Sequence, residues 1–305
     1  MTVSQTCVGG HALIMQPLPA SGTLREAPQA ARTSENTITE ERTDPCVVES
    51  VSFSQHPAED RHREASAGMS RAMANTRPWT VNKAGPLTQV DERLWIIDDE
   101  VPGLPGATRR MTIVKRLDGS LLFYNAIPVE ETVLDAIRAL GNPAQLVLPN
   151  QFHALDAAAF AVRLNLTAYC PEVGVPKLAD RLTCQPITAL PPDGQLKVFR
   201  VDGFSTHEAV LVAGNTLIVA DLLTNAPHLR GFTGLMMRFV GFTGPQPKLP
   251  APVQRRVGKD LRAVAALMNE LAAVPGLKRI IPSHGLIIES GAPEALRAIA
   301  ASLKT

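Results

Sequence analysis

Large apolar side chains are scarce at the start of this chain. The 305 residues include 2 Trp, 2 Tyr and 9 Phe, and of these only Phe53 precedes Trp79. A stretch so poor in bulky apolar groups cannot bury enough surface to offset the entropy of ordering its backbone. Residues 1–80, rich in Ser, Thr, Glu, Arg and Pro, therefore read as a disordered leader. The chain also lacks any apolar run near the roughly 20 residues that cross a bilayer, so no membrane partner is expected. Ala12–Met15 is too short a patch for a secretory signal, which needs about 7 to 15 apolar residues. Glu26, Glu35, Glu40, Glu41 and Asp44 speak against a transit peptide. A cytoplasmic protein is the expectation. Met69 and Met73 stand just before the patterned region, so a start assigned too far upstream would account for the leader.

Cysteine pairs at close spacing are missing as well. Cys7, Cys46, Cys170 and Cys184 form no CxxC, which removes zinc ribbons and thioredoxin-like sites from consideration and leaves buried, reduced thiols as the expectation. A net charge of +1 gives no bulk attraction to nucleic acid, so no such partner is expected.

Patterned sequence begins near Leu87 and runs to Lys304. Arg93–Asp98, Arg110–Leu117 and Ser120–Asn125 read as strands, the last two joined by the hairpin signal Asp118-Gly119. Val129–Leu140 has helical spacing, closed by Gly141 as a C-cap, and a short strand Gln145–Pro149 follows. Ala154–Leu164 reads as a helix and Thr167–Cys170 as a strand. Gln195–Val201, Ala209–Ala213 and Thr216–Ala220 form a second group of strands.

Asn225–Pro250 shows no clear period and reads as a long excursion. Its apolar run Leu235–Phe242 fits a lid or a homodimer contact, and equally a loop packed on its own domain. Val253–Val274 reads as one long helix on the stripe Val257, Leu261, Val264, Met268 and Leu271. It leads to a strand, Lys278–Pro282, a further short strand after Gly285, and a last helix, Ala292–Leu303. Two strand groups with interspersed helices imply an α/β fold of two packed sheets with helices outside.

The chain has seven histidines, and four lie in the patterned region: His153, His207, His228 and His284. Each stands at or near the end of an expected element, where α/β proteins gather reactive groups. Asp221 ends an apolar strand and needs a partner there. His228 reads as a surface histidine. Arg109 and Arg110, adjacent before a strand, read as solvated, with an anionic substrate as the sharper alternative.

In these residues the chain resembles the metallo-β-lactamase superfamily. Leu217-Ile218-Val219-Ala220-Asp221 is similar to the strand that delivers that family's bridging aspartate, and Ile280-Ile281-Pro282-Ser283-His284-Gly285 to the strand that delivers its last histidine. Pro149-Asn150 followed by His153 resembles the motif of one branch of the superfamily. The resemblance spans most of residues 87–303 and implies a two-sheet αββα sandwich.

Departures from the family pattern are equally specific. In place of HxHxDH stands Asn150-Gln151-Phe152-His153-Ala154-Leu155-Asp156, and Phe204 falls about where a middle histidine would open its loop. The resemblance implies a degenerate metal site, with Asp221 and His284 as catalytic anchors. His153, Asp221 and His284 would be metal ligands, and His207 or Glu208 a fourth. Asn150 and Asp156 would orient those ligands, although Asn150 also suits a helix cap. The cofactor would be zinc, iron or manganese, or none if too many ligands are gone. The activity implied is metal-assisted hydrolysis of an ester, thioester, lactone or phosphoester of unknown identity. The alternative is a non-catalytic relative that kept the fold as a binding module. An iron-dependent redox relative is a lesser third.

Overall fold

The structure is a computed structural model, and it describes residues 77–303. Most of the expected leader thus lies outside the described residues. Two sheets form. The larger has seven strands in sequence order: β1 (Thr88–Asp91), β2 (Leu94–Glu100), β3 (Thr108–Lys115), β4 (Ser120–Tyr124), β5 (Asn142–Val147), β6 (Thr167–Cys170) and β7 (Cys184–Pro186). Its first four strands are antiparallel, because hairpin turns such as Asp118-Gly119 join β2 to β3 to β4. From β4 to β7 the pairing is parallel, with a helix carrying most returns. The smaller sheet has the order β11 (Arg279–Pro282), β10 (Thr216–Val219), β9 (Glu208–Ala213), β8 (Leu196–Val201).

Alternation along the strands explains the layers. Trp95 and Ile97 of β2 face the helices α1 (Glu131–Leu140) and α2 (Ala157–Leu164), whereas Leu94 and Ile96 face the other sheet. In β9 and β10, Val210, Val212, Leu217 and Val219 face α6 (Leu261–Ala272) and α7 (Ala292–Ser302), and Leu211 and Ile218 join the inter-sheet core. Three apolar layers result, so strands buried on both faces read as continuous apolar runs. This is an αββα sandwich. The remaining helices are α3 (Val175–Leu178), α4 (Gly231–Phe239) and α5 (Ala251–Val257). No helix among the described residues is long and apolar enough to cross a membrane.

Several sequence expectations change. The packed body begins by Trp79, inside the span assigned to the leader. Its ring stacks on Phe160 at 5.7 Å and its Nε1–H donates to the Val129 carbonyl at 3.2 Å. Gly141 ends α1 with extended backbone rather than a left-handed cap. Glycine is needed there because a Cβ would sit 2.3 Å from the Gly119 carbonyl oxygen.

The single helix expected over Val253–Val274 is two helices. The Gly203 carbonyl accepts the N–H groups of Lys259 and Asp260 at 2.8 and 3.0 Å, and the Asp260 carboxylate caps Arg262 and Ala263 at 3.0 Å each. Those bonds end α5 and start α6 anew. The strand expected after Gly285 reduces to an isolated bridge between Ile280 and Ile288. The excursion contains a helix, α4, whose apolar stripe Phe232, Leu235, Met236 and Phe239 faces outward. Gly234, on the opposite side, lies against the Leu229 backbone. Cys170 and Cys184 are buried, free thiols on neighbouring strands.

Candidate metal centre

The site is built at the C-terminal ends of parallel strands. β10 and β11 pair in register with Val219 opposite Pro282, so Asp221 and His284 each lie two residues beyond the same rung. The Ser283 N–H donates to the Val219 carbonyl at 2.8 Å and holds the two ends level. Asn125, in the left-handed region after β4, donates from Nδ2 to Ser283 Oγ at 2.6 Å and to the Arg110 carbonyl at 3.1 Å. Gly285 has φ +91°, and a Cβ there would lie 2.4 Å from the Asn225 carbonyl oxygen. The glycine after the histidine therefore serves the close passage of the excursion.

His153 arrives from the other sheet. Beyond β5, Leu148 continues the ladder to the Tyr169 carbonyl, and the Pro149 carbonyl accepts the Ala209 N–H of the second sheet at 2.8 Å. Asn150 then opens a 3-10 turn over Gln151–His153. Its Oδ1 accepts the Phe152 N–H at 2.9 Å, and its Nδ2 donates to Asp221 Oδ2 at 2.8 Å. Capping and orienting, alternatives in the sequence, are both contacts of this one buried amide.

His153, Asp221 and His284 each offer one ligand atom, and these atoms lie within 4.8 Å of one another. His153 Nε2 stands 3.4 Å from Asp221 Oδ1. His284 Nδ1 lies 2.8 Å from the Thr108 carbonyl oxygen, which can only accept. The ring therefore carries its proton on Nδ1, leaving Nε2 with a free lone pair. Phe242 packs edge-on against this ring at 5.6 Å.

Burial alone would raise Asp221. His153, His284 and the Asn150 amide outweigh it and hold the carboxyl below the usual carboxylate range. Burial, then the neighbouring His153, pushes the His284 imidazolium down, which favours neutral imidazole. These are the protonation states that metal ligation requires.

Other expected site residues stand apart from this group. Glu208 is fully buried, and its carboxylate accepts the backbone N–H groups of Ala220 and Asp221 at 2.8 and 2.9 Å. Its oxygens are thus directed at the chain that carries Asp221, and it is not one of the three residues that converge. Burial and the charge of Asp221 push its carboxyl up. His207, at φ 48°, faces Asp202 across 4.0 Å and lies outside the group.

Asp156 is buried in an ion pair with Arg109 and makes no hydrogen bond to the three ligands. Arg109 also bonds Asp99 at 2.7 Å. Arg110 grips Asp98 at 2.6 and 2.8 Å and donates to the Pro282 carbonyl at 3.0 Å. Neither arginine is a simple solvated cation. His228 is exposed, with Nδ1 3.1 Å from Thr243 Oγ1. Phe204 is fully buried in the core beneath α6. The Thr108 carbonyl, Asn125 and Phe242 support the site without having been singled out. Only the left-handed Asn at a strand end hinted at one of them.

Two cavities flank the group. One of about 480 Å³ includes His284, Asp98 and Arg110 in its wall together with Met237, Val240 and Phe242. The other, about 280 Å³, touches Asp221, Phe152 and Arg256.

Known structures match this architecture. A metallo-beta-lactamase from Pontibacter korlensis aligns over 72% of this chain and 100% of its own, at 13% identity and TM-score 0.51. DIM-1 metallo-beta-lactamase aligns over 73% and 99%, at 14% identity and TM-score 0.53. VMB-1 aligns over 73% and 99%, at 12% identity and TM-score 0.51. No protein-family model matches the chain, and no curated protein does. The chain has the metallo-β-lactamase fold.

Proposed function

We propose that this protein is a metal-dependent hydrolase with a single ion held by His153, Asp221 and His284. One observation carries the reading: three segments remote in sequence bring two imidazoles and a carboxylate within 4.8 Å. Two nitrogen donors and one oxygen donor suit zinc, iron or manganese, and three protein ligands leave room for water. Bound there, such an ion supplies acidified water near neutral pH.

The chain's own groups do the rest. Asn150 holds Asp221 Oδ2, so Oδ1 faces the imidazoles. The Thr108 carbonyl keeps His284 Nε2 free of a proton. In the hydrolysis the water oxygen bonds to an acyl carbon or a phosphorus, the bond to the leaving group breaks, and the leaving group takes up a proton. The proton that the water gives up is the one the leaving group takes up. The metallo-β-lactamase fold of the similar structures supports a hydrolase at the level of architecture.

Elemental analysis of the purified protein beside Asp221→Ala and His284→Ala tests this. About one ion per chain is expected in the parent and a loss in both variants. A parent without metal would favour the second reading, a non-catalytic binding protein. Phe204 supports that second reading, because an apolar core residue stands about where the resemblance calls for a histidine.

A further inference from the structure

Beside His284 the 480 Å³ cavity has all its ionisable lining groups at one end. That end holds His284, Thr108 and the Asp98–Arg110 pair. The wall elsewhere includes Leu104, Leu229, Met237, Val240, Phe242 and Leu286, contributed by the loop after β2, the excursion around α4 and the turn after β11, and its one further polar side chain is the Thr243 hydroxyl. A volume of this size is within the range of about 300 to 1,000 Å³ that encloses a small organic ligand.

An apolar wall is filled best by an apolar group, because displacing water from it gains roughly 0.8 kcal/mol per methylene. The cation at the polar end is already spent: Arg110 forms a two-point pair with Asp98 at 2.6 and 2.8 Å. A phosphoryl group seated there would meet a neutral pair and the Asp98 carboxylate rather than a free guanidinium. A carbonyl carrying an aliphatic tail meets no such conflict. The polarity of the cavity thus runs in the direction of an amphiphile with its reacting head at His284.

We infer that this cavity is an acyl-chain site, and that the substrate is an ester, thioester or lactone of an aliphatic acid whose chain lies along Leu229, Met237 and Phe242. The assignment rests on the proposed hydrolase reading for the position of the head, and on the cavity alone for the tail. α4 does two things in this arrangement. Met237 on its inner side walls the cavity, while Phe232 and Phe239, 79% and 88% exposed, point away from it.

Calorimetric titration of the full-length protein with straight-chain primary amides, from butanamide to decanamide, whose neutral carbonyl head avoids the Asp98 carboxylate, is the test. Affinity is expected to rise about three- to fourfold per added methylene until the cavity is full. Met237→Asp should flatten that dependence, Val240→Trp should end it at a shorter chain, and Phe239→Ser should leave it unchanged. A flat series in the parent overturns the proposal. So does a dependence that survives Met237→Asp and Val240→Trp, or one that disappears in Phe239→Ser, since the tails would then be binding elsewhere. A parent that purifies without metal and still shows the dependence would keep the acyl site and sink only the metal reading. A parent that holds metal but shows no dependence would do the reverse.

Discussion

Two halves of the cleft are built by different physics. Asp221 and His284 stand on neighbouring parallel strands whose register, Val219 opposite Pro282, sets their spacing through backbone hydrogen bonds. The facing wall, α4 and its flanks, is held by local turns and by a close approach to Leu229, and it turns four large apolar side chains outward. A group on a ladder inherits the rigidity of the sheet. A group on an excursion is free to change partner or shape, which is why specificity belongs in the wall and chemistry at the strand ends.

The sharpest way to break this contrast is to remove the group that ties the ladder to Asp221. Glu208→Ala leaves the N–H groups of Ala220 and Asp221 without their buried acceptor. Each such orphan costs about 1–3 kcal/mol, so a loss of about 3 kcal/mol or more in urea unfolding is expected. A loss below about 1 kcal/mol would show that the carboxylate does not hold the strand end. Asn150→Ala comes next. It frees Asp221 Oδ2 and removes the turn cap, and metal affinity should fall about 10- to 100-fold in a chelator competition. An unchanged affinity would mean that Asp221 needs no orientation from Asn150.

A third test concerns a region remote from the cleft. Burial would raise Asp193, but the N–H groups of Leu117 and Gln195 and the Arg116 guanidinium hold it below its ordinary 3.8. A depressed folded value means stability that is present above the unfolded pKa and lost as pH falls through the folded one. Melting temperature should therefore drop as pH falls below about 4, and the drop should be smaller in Asp193→Asn. Equal slopes would exclude this aspartate as a source of acid sensitivity. The smallest effect belongs to the outer face of α4. Paired Phe232→Ser and Phe239→Ser changes should alter stability by no more than about 0.5 kcal/mol, yet shorten retention on a phenyl column. A large destabilisation would mean that this face is not free.

Much of the strand framework was legible because its signals are local. Asp118-Gly119 marks a hairpin through positive φ at the glycine, and the apolar runs ending in Asp221 and His284 mark strands buried on both faces. α4 was not legible. Its apolar stripe has helical spacing, but the glycines and prolines around it mask the period, and it faces outward instead of into a core. The break before α6 was equally hidden, because Gly203, more than fifty residues upstream, supplies the carbonyl that stops α5.

Among the candidate ligands, residue type alone could not separate Glu208 from Asp221. Both end or begin apolar strands, and only Glu208 turns its oxygens toward backbone N–H groups, those of Ala220 and Asp221 at the end of the neighbouring strand.

Local chemistry in the chain by itself determined the strands, the hairpins and which acids and imidazoles stand at strand ends, since those depend on residues a few positions apart. Tertiary structure alone decided that His153 meets Asp221 and His284, that Glu208 and Asp156 are consumed elsewhere, and that an apolar cavity opens beside one imidazole. Each of these is a relation between segments far apart in sequence. Such relations arise only when register and packing bring distant backbones together.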